Sequence, residues 1–411
     1  MQKTILKTYS LAFLIIAVTL FTFHSCDFLI TNPAEDNQTL DGPIDGLTQA
    51  QLQIFFRGDE AFSNKFAFNN GLGPIFNQSA CFNCHVKDGR SHPSVNLKRF
   101  QKNLGNGQFL PLYELGGPQL QDKCIPSYQA EVIPSEANAI SVRGGPIVTG
   151  LGLIEAIPDA TILSYADPFD TNQDGISGKS QFIEAPDFLG LPPGPYNGKY
   201  LGRFGRKAGS INLLQQTVTA YSQDIGITSD WIIAENYNPL VGGFNDPVPD
   251  PEVSSNTVND VVFYLKTLKP PPRRNQNDLR VIAGETIFNN IGCNKCHIPQ
   301  MQTGFSPIEP LSYKAVNLFS DMLLHDVGQE LADNFIEGEA RESEWRTTPL
   351  WGLGLASSVT GGTPFYMHDG RTSDLREAIR LHGGEAEMIK QAFLNLTPTE
   401  KDNLIAFLLS L

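Results

Sequence analysis

The sequence predicts a mainly α-helical protein with extensive loops, built from two similar units in tandem. One short pattern, I-F-N-x-x-x-C-x-x-C-H, occurs twice, at residues 75–85 and 287–297. The 411 residues include 37 glycines and 28 prolines, so much of the chain is expected to be loop. Apolar periodicity and helix end signals predict helices from Thr48, over 211–221, 254–268 and 278–290, and from a capping box at Thr397.

The duplicated pattern is typical of covalent haem attachment. In C-x-x-C-H, the two thiols add to the vinyl groups of a haem, and the histidine ligates its iron. A four-cysteine zinc site would leave both histidines unexplained, and a thioredoxin-like dithiol needs a βαβ context that neither copy has. We therefore predict two covalent haem c groups, held by Cys81, Cys84 and His85 and by Cys293, Cys296 and His297.

The duplication extends beyond the haem ligands. Residues 143–155 and 346–355 both carry R-x-x-P followed by G-L-G-L, each at a similar distance after a haem motif. This pattern predicts two tandem cytochrome c-type haem domains. The predicted organisation is a first haem domain over 47–164, a connecting region over 165–272 that ends in three prolines, and a second haem domain over 273–411.

The N-terminal residues predict export and lipid attachment. Residues 1–25 have the form of a lipoprotein signal peptide, with two early lysines and an apolar run too short for a comfortable membrane span. The sequence F-H-S-C, ending at Cys26, resembles a bacterial lipobox. Cys26 would then carry the lipid, residues 26–46 would form a tether, and the protein would be anchored to a bacterial membrane facing the periplasm or cell surface. Ordinary cleavage and an uncleaved anchor are the alternatives.

Charge and cysteine usage narrow the range of partners. The formal net charge is −14 and no basic stripe is present, so no nucleic-acid partner is predicted. An acidic surface is compatible with docking a basic electron donor, although solubility alone explains such a charge. Four cysteines are assigned to haem and one to lipid. The sixth, Cys124, is expected to be a buried apolar thiol, or a disulfide partner of Cys26 if the lipobox is absent.

One loop in the connecting region resembles part of a calcium site. Asp170, Asn172, Asp174 and Gly175 match the first half of an EF-hand loop, in which alternate oxygens face one cation. The twelfth position is Gln181 rather than glutamate, so the motif is incomplete. A plain turn formed by the aspartates and the glycine is the alternative. Calcium is therefore a candidate cofactor.

The motifs taken together resemble one family. The relevant segments are Gly71-Leu-Gly-Pro, Gly150-Leu-Gly-Leu-Ile-Glu-Ala, Asp174-Gly-Ile-Ser-Gly, Gly202-Arg-Phe-Gly-Arg, His325-Asp, Trp345-Arg-Thr, His368-Asp-Gly-Arg and His382-Gly-Gly-Glu-Ala. With the haem motifs, they resemble the bacterial dihaem cytochrome c peroxidase superfamily. The closer likeness is to its dihaem oxidoreductase branch, labelled as peroxidases or thiol oxidoreductases. The resemblance implies an α-rich pair of cytochrome c domains and redox chemistry outside the cytoplasm.

The resemblance also implies roles for individual residues. In the peroxidases of this superfamily, one haem relays electrons and carries a methionine ligand, while the other binds hydrogen peroxide. Met367, within P-F-Y-M-H-D-G, is the predicted sixth ligand of the second haem; its neighbour His368 and simple core packing of Met367 are the alternatives. The first haem would then be the reactive one. In the peroxidases of this superfamily a glutamate serves as general base at the reactive haem. Glu155 is our candidate for that role, with Glu131 and Glu136 as alternatives.

Several further residues have open roles. His325 and His382 are expected to be structural, to bind a haem propionate or to bridge the haems. Trp345 and Trp351 are expected to relay electrons or simply to pack. Arg90 is expected to pair with a propionate or to be solvated.

The expected activity is reduction of hydrogen peroxide at the first haem. Electrons would come from a small soluble donor of the cytochrome or cupredoxin type and pass through the second haem. The alternative is a non-enzymatic dihaem electron-transfer protein that serves a surface redox or metal-uptake system.

Overall fold

The computed structural model describes residues 40–236, 238–242 and 246–411. The predicted signal peptide, Cys26 and most of the tether lie outside the described residues, so these predictions are not addressed by the structure. Within the described ranges, no helix is both long and apolar enough to cross a membrane. The described residues belong to one compact unit.

The helices confirm most of the elements expected from sequence. They are α1 Gln49–Ser63, α2 Leu151–Glu155, α3 Asp159–Leu163, α4 Leu213–Ala220, α5 Ser255–Thr267, α6 Leu279–Asn290, α7 Ala356–Val359, α8 Leu375–Leu381, α9 Glu387–Leu394 and α10 Pro398–Ser410. Both capping boxes form: Thr48 with Gln51 at the start of α1, and Thr397 with Glu400 at the start of α10. One turn of π-helix, Tyr221–Ile225, continues α4.

Short strands make the fold less purely helical than predicted. The strands are β1 Ile75–Phe76, β2 Leu97–Gly105, β3 Gln108–Leu110, β4 Lys123–Cys124, β5 Ala139–Arg143, β6 Phe182–Ile183, β7 Tyr200–Leu201, β8 Met301–Gln302, β9 Ala315–Val316, β10 Leu324–Asp326 and β11 Glu344–Arg346. They form small antiparallel sheets, of which the largest has the order β3-β2-β5. The class is therefore helices joined by loops and small sheets, so the prediction of a mainly α fold is right only in part.

Two helix pairs have the same construction. In the first, Gly58 of α1 faces Asp260 of α5, and an added Cβ at Gly58 would overlap the Asp260 carbonyl oxygen. The aromatic rings of Phe62 and Tyr264, each one turn further along its helix, lie 5.4 Å apart. Only a glycine permits backbones to approach this closely, because any side chain would meet the facing carbonyl.

The second helix pair repeats this arrangement with different residues. Gly284 of α6 faces Asn403 of α10, and a Cβ at Gly284 would overlap the Asn403 carbonyl oxygen. Phe288 and Phe407, again one turn further along, lie 5.1 Å apart. Each helix pair thus presents a close aromatic contact beside a C-x-x-C-H segment.

Two apolar cores surround these helix pairs. The larger contains Phe55, Phe62 and Tyr264, and it also takes in Met301 and Leu318 from beyond the second haem motif. The smaller contains Phe288, Phe407 and neighbouring residues of α8 to α10. The larger core therefore includes residues on both sides of the three-proline connector. The predicted boundaries at 164 and 272 stay predictions.

Two candidate haem sites

The second C-x-x-C-H segment lies at the end of α6. Gly292, with φ 95°, ends the helix, and a short turn over Cys293–Lys295 follows. The His297 N–H donates to the Cys293 carbonyl at 3.0 Å, which fixes the histidine beside the cysteines. Its Nδ1 lies 2.9 Å from the Phe319 carbonyl oxygen, so Nε2 remains available for a metal.

Burial sets the protonation state of this histidine. It lowers the pKa of His297 to about 4, while the Phe319 carbonyl opposes the shift. The ring is therefore neutral near pH 7, which is the form that ligates iron. Burial also raises the pKa of Cys293 to about 12 and raises that of Cys296. Such protonated thiols are poor redox nucleophiles, which disfavours a redox dithiol.

A cavity of about 230 Å³ opens beside these residues. Its wall includes both thiols and the His297 ring, and much of the rest is apolar, contributed by Phe288, Leu350, Leu353, Leu404 and Leu408. Arg90, Arg206 and Arg346 also line it. An apolar macrocycle with two anionic propionates requires this combination of apolar surface, anchoring thiols, an imidazole and cations. The residues present therefore fit a haem c.

Met367 and His368 both reach the wall of this cavity. The Met367 carbonyl accepts a hydrogen bond from Arg90 Nη2 at 2.9 Å, and its backbone adopts φ 70°. The His368 ring instead stacks on Trp345, with centroids 3.7 Å apart and planes 12° from parallel. Burial lowers the pKa of His368 to about 3, so it is neutral. Met367 thus shares this cavity wall with His297, and its role as an iron ligand stays a prediction.

The first C-x-x-C-H segment has the same local backbone. A short turn covers Cys81–Asn83, and the His85 N–H donates to the Cys81 carbonyl at 3.1 Å. Burial raises the pKa of Cys81 and of Cys84 to about 12. It lowers the pKa of His85 to about 4, against the opposing effect of nearby backbone groups. The Nδ1 atom of His85 is buried and has no hydrogen-bond partner within the described part of the chain.

The Arg-Gly-Gly-Pro segment, residues 143–146, joins the two sites. A Cβ at Gly145 would lie 2.9 Å from His85 Cε1, so this glycine lets the backbone pack on the ring. The Gly144 N–H donates to the His368 carbonyl at 2.8 Å, and the Gly144 carbonyl accepts from Arg206. His85 is thus connected through two residues to the His368–Trp345 stack.

The candidate general bases were predicted for the first haem, and none of the three lines the cavity described at the second site. One Glu155 oxygen pairs with Lys266 Nζ at 2.7 Å, and the other accepts the Leu213 N–H at 3.1 Å. Glu136 is exposed. Glu131 is buried, accepts the Gln121 N–H at 2.6 Å, and has a pKa raised by burial. Glu155 therefore already holds a helix start and an ion pair, and its role as a base stays a prediction.

Asp224 was missed by sequence reasoning. It lies in the π-helical turn, where its carboxylate accepts from Gln119 Nε2 at 2.6 Å. Burial raises the pKa of Asp224 to about 6, and its charge in turn raises the pKa values of Cys81 and Cys84. A carboxyl that titrates near neutral pH beside the first haem segment is a candidate for moving protons. The sequence did not mark Asp224 as a functional residue, because it appears there as a single aspartate in a helical pattern. Only the structure reveals the π-turn that buries it.

His325 lies in a polar cluster next to Cys296. Its Nε2 is 2.7 Å from Asp321 Oδ2, and its Nδ1 is 2.8 Å from Glu385 Oε2 and 3.6 Å from Cys296 Sγ. Burial opposes charge on His325, but the hydrogen bonds to Asp321, Cys296 and Glu385 raise its pKa well above the usual value. His382 also lines the cavity, and its Nδ1 lies 2.8 Å from the Ala378 carbonyl oxygen.

The remaining predicted residues lie as follows. Trp345 lines the cavity, whereas Trp351 belongs to the larger core and packs against Gly150. The Cys124 thiol is half-buried and lies 3.2 Å from the Tyr128 carbonyl oxygen. In the predicted calcium loop, the Asp174 N–H donates to the oxygens of Asp170 and Asn172, both at 2.9 Å. Lys295 pairs with Asp174 at 3.0 Å, so a lysine already neutralises that carboxylate.

Comparison with known proteins identifies the family. A family model described as "Di-haem oxidoreductase, putative peroxidase" matches residues 111–411. The chain belongs to this family, which confirms the resemblance drawn from its motifs. It is therefore an oxidoreductase of a haem-binding class. No curated protein matches the chain.

Two solved structures are similar over most of their length. One is hydrazine synthase from Kuenenia stuttgartiensis, with 15% identity and a TM-score of 0.39, covering 93% of this chain and 98% of that one. The other is a MauG-like protein associated with microbial copper homeostasis, with 14% identity and a TM-score of 0.38, covering 93% of this chain and 95% of that one.

Proposed function

We propose that this chain is an exported dihaem c-type oxidoreductase that reduces hydrogen peroxide at the first haem with electrons relayed through the second. The family supplies the general class. The observation that supports the finer assignment is the cavity wall that contains both His297 and Met367. When bound, each haem supplies an iron that accepts or donates single electrons.

The residues of the second site favour an electron-relay role. The Phe319 carbonyl orients His297, and a donor hydrogen bond of this kind makes an imidazole a stronger ligand. Arg90 holds the backbone of Met367 through its carbonyl. His297 and Met367 would hold the iron of a haem bound in this cavity from the protein side, and such a haem would store an electron without admitting substrate.

The first site needs groups that supply protons. Reduction of peroxide to water takes up protons as well as electrons, so a buried carboxyl that is partly protonated at neutral pH is useful. Asp224, with a pKa of about 6, meets this requirement near Cys81 and Cys84. Glu155 was the candidate from sequence, but both of its oxygens already have partners. Variants of Asp224 and of Glu155 are therefore compared in the test below.

Residues between the sites offer a connection for electrons. The Gly144 N–H bonds to the His368 carbonyl, and the His368 ring stacks on Trp345. Stacked aromatic rings and short hydrogen-bonded links bring the two sites into close contact. We assign Trp345, rather than Trp351, to this connection, because Trp345 lines the cavity.

The test is a spectroscopic titration of the mature protein, produced in a host that attaches haem c. Reductant is added until one of the two haems is reduced, and peroxide is then added. We expect two haems per chain, one six-coordinate with a methionine ligand and one high-spin that reacts with peroxide. Two six-coordinate haems that do not react with peroxide would instead assign the chain as an electron carrier.

The proton-supplying residue is tested by comparing Asp224→Asn with Glu155→Gln. We expect Asp224→Asn to lower kcat for peroxide by tenfold or more and to remove a titration near pH 6 from the rate profile. Glu155→Gln is expected to keep both its two haems and its activity with peroxide. Glu131→Gln serves as a second buried-carboxyl control. The opposite ranking of Asp224 and Glu155 would restore the assignment made from sequence.

The location and the electron donor complete the proposal. A lipid on Cys26 would hold the protein at a membrane facing the periplasm or cell surface, where haem c is attached. Cys26→Ser should release the protein into the soluble fraction. The net charge of −14 favours a basic cytochrome or cupredoxin as the electron donor. The rate at which that donor reduces this protein should therefore fall as the salt concentration rises.

A further inference from the structure

A buried histidine touches one of the thiols that would anchor the second haem. His325 is 4% exposed, and its Nδ1 lies 3.6 Å from Cys296 Sγ. Two carboxylates flank the same ring, since Nε2 is 2.7 Å from Asp321 Oδ2 and Nδ1 is 2.8 Å from Glu385 Oε2. Asp321, His325 and Glu385 are called the ion triad below. The electron-relay role argued above makes no use of them.

The contacts of the ion triad determine its charge. An ionised carboxylate only accepts hydrogen bonds, so a ring nitrogen that faces one has to donate. Both ring nitrogens of His325 face a carboxylate, and the ring is therefore an imidazolium. Burial opposes ionisation of Glu385, but the hydrogen bonds and charge of His325, with Ser177, lower its pKa to about 2. Two negative groups and one positive group leave the ion triad with a net charge of −1.

The carboxylates of the ion triad are held by further donors. Ser177 donates to both oxygens of Glu385, from its N–H at 2.9 Å and from its hydroxyl at 2.7 Å. The Leu323 N–H donates to Asp321 Oδ1 at 3.0 Å. The N–H of Asp321 itself donates to the Cys296 carbonyl at 2.9 Å. A buried ionic network is stable only when its remaining oxygens are satisfied in this way. The negative charge is thus permanent, and it is tied to the backbone of a haem-anchoring cysteine.

The ion triad brings together three motif segments that the haem assignments leave unused: D-G-I-S-G, His325-Asp and H-G-G-E-A. Glycines make the approach possible. A Cβ at Gly178 would lie 3.2 Å from His325 Cε1, and a Cβ at Gly384 would overlap the Asp326 carbonyl oxygen. The Asp326 N–H in turn donates to Glu385 Oε1 at 3.2 Å. Segments far apart in the chain therefore place one charged cluster beside one cysteine.

We propose that the ion triad lowers the reduction potential of the second haem and so favours transfer of its electron to the first haem. The inference rests on the proposed attachment of a haem at Cys296. Ferric haem carries one more positive charge than ferrous haem, so a nearby negative charge stabilises the ferric state. A methionine ligand raises the potential, and the ion triad would offset that effect. In the first segment, Cys84 Sγ instead lies 3.9 Å from the neutral Val95 carbonyl oxygen. The first haem is therefore an internal reference.

The test measures the reduction potentials of both haems by spectroelectrochemical titration of the haem-loaded protein. Asp321→Asn combined with Glu385→Gln removes both negative charges, and the buried ring of His325 then loses its extra proton, so the net charge rises from −1 to zero. The equilibrium constant for reduction of the second haem should rise at least tenfold, or about 59 mV for one electron. That of the first haem should change less than twofold. His325→Gln removes the positive member of the ion triad and should not raise the second potential. An unmoved second potential in the double variant, or a rise in His325→Gln, would overturn the proposal.

Two control variants separate an effect of charge from an effect of structure. Ser177→Ala removes a hydrogen bond to Glu385 without changing the charge. Glu377→Gln removes a charge from the surface of α8, where Glu377 pairs with Arg380. Each should change the reduction constant of the second haem less than threefold. A shift in Ser177→Ala as large as that of the double variant would show that the ion triad acts through structure alone, against the proposal.

The haem content distinguishes this proposal from the proposed function. Two bound haems whose potentials do not respond to the double variant would overturn the role of the ion triad and leave the dihaem assignment intact. A wild-type chain that carries no haem at Cys296 would overturn both.

Discussion

The two haem segments share a framework but differ in how each histidine is held. The Phe62 ring lies 6.1 Å from that of His85, and the Phe288 ring lies 6.4 Å from that of His297, each from a helix that crosses its partner at a glycine. His297 Nδ1 reaches the Phe319 carbonyl oxygen, whereas His85 Nδ1 has no partner among the described groups. The apolar frame is thus repeated, and the polar surroundings are where the two sites diverge.

A second contrast concerns the paired R-x-x-P segments. Arg143 bonds Glu337 at 2.5 Å and lies 3.9 Å from Asp333. Arg346 instead donates to backbone carbonyls, including that of Gly205, and has no carboxylate partner within bonding distance in the described structure. The first segment therefore depends on an ion pair and the second on neutral acceptors. This difference gives the two sites different sensitivities to acid.

Removing either cysteine pair is expected to have the largest effect. Cys293→Ala with Cys296→Ala should lower the haem content from two per chain to one, because the thioether bonds can no longer form. Cys81→Ala with Cys84→Ala should do the same for the other haem. The haem-to-protein ratio measures this. A ratio still near two in either variant would show that the segments do not attach haem covalently.

The helix crossings provide a direct comparison of the two frameworks. Gly58→Ala and Gly284→Ala should each lower the free energy of unfolding by about 2–3 kcal/mol, since each new methyl group meets a backbone carbonyl. Denaturant unfolding of the haem-loaded protein measures the change. Glu60→Ala, at an exposed position of α1, is the control and should stay within about 0.5 kcal/mol of the wild type. Two unequal losses would show that one crossing is looser than the other.

Acid should weaken the first R-x-x-P segment. Burial opposes ionisation of Glu337, but Arg143 and Arg99 outweigh it and lower its pKa to about 2. Stability from this group is therefore complete above its unfolded pKa of about 4.3 and is lost as pH falls toward 2. Glu337→Gln should cost about 2–3 kcal/mol at pH 7 and less than about 0.5 kcal/mol at pH 2, where roughly half of the Glu337 carboxyl is already protonated. Denaturant unfolding at a series of pH values measures the change. An equal loss of unfolding free energy in Glu337→Gln at pH 7 and pH 2 would contradict this explanation.

The methionine ligand should distinguish the sites most finely. Met367→Ala is expected to remove the spectroscopic signature of methionine ligation from one haem and to leave the other unchanged. Its effect on stability should be smaller than that of the glycine substitutions, because Met367 is only partly buried. His368→Ala is the matched variant. Should His368→Ala change the ligand signature while Met367→Ala does not, the histidine is the ligand.

The sequence predicts the two C-x-x-C-H turns because their geometry is local, while their attachment of haem stays a prediction. A C-x-x-C-H turn brings its thiols and imidazole together without help from distant residues, and helices with capping signals such as Thr48 and Thr397 formed where expected. The shared I-F-N was misleading. Ile75–Phe76 is a strand paired with β4, whereas Ile287 and Phe288 belong to α6. Identical triplets adopt different structures because tertiary packing overrides local preference.

The true counterpart of Phe288 was visible but not recognised. Gly58 precedes Phe62 by four residues, as Gly284 precedes Phe288, so a repeated G-x-x-x-F pattern marks both crossings. Other features could not be found this way. The stack of His368 on Trp345, the ion pair of Glu155 and the π-turn around Asp224 depend on contacts between residues far apart in the chain. No short-range pattern encodes such contacts.

Arg90 and Arg206 have a consequence for how the chain can be divided. Both lie before the three-proline connector, yet both line the cavity that surrounds His297. A fragment starting after the prolines would keep its cysteines and histidine but lose two of the cations that line this cavity. After cleavage at the connector, neither fragment alone should show the native haem absorption spectrum. The native spectrum should return only when the two fragments are recombined.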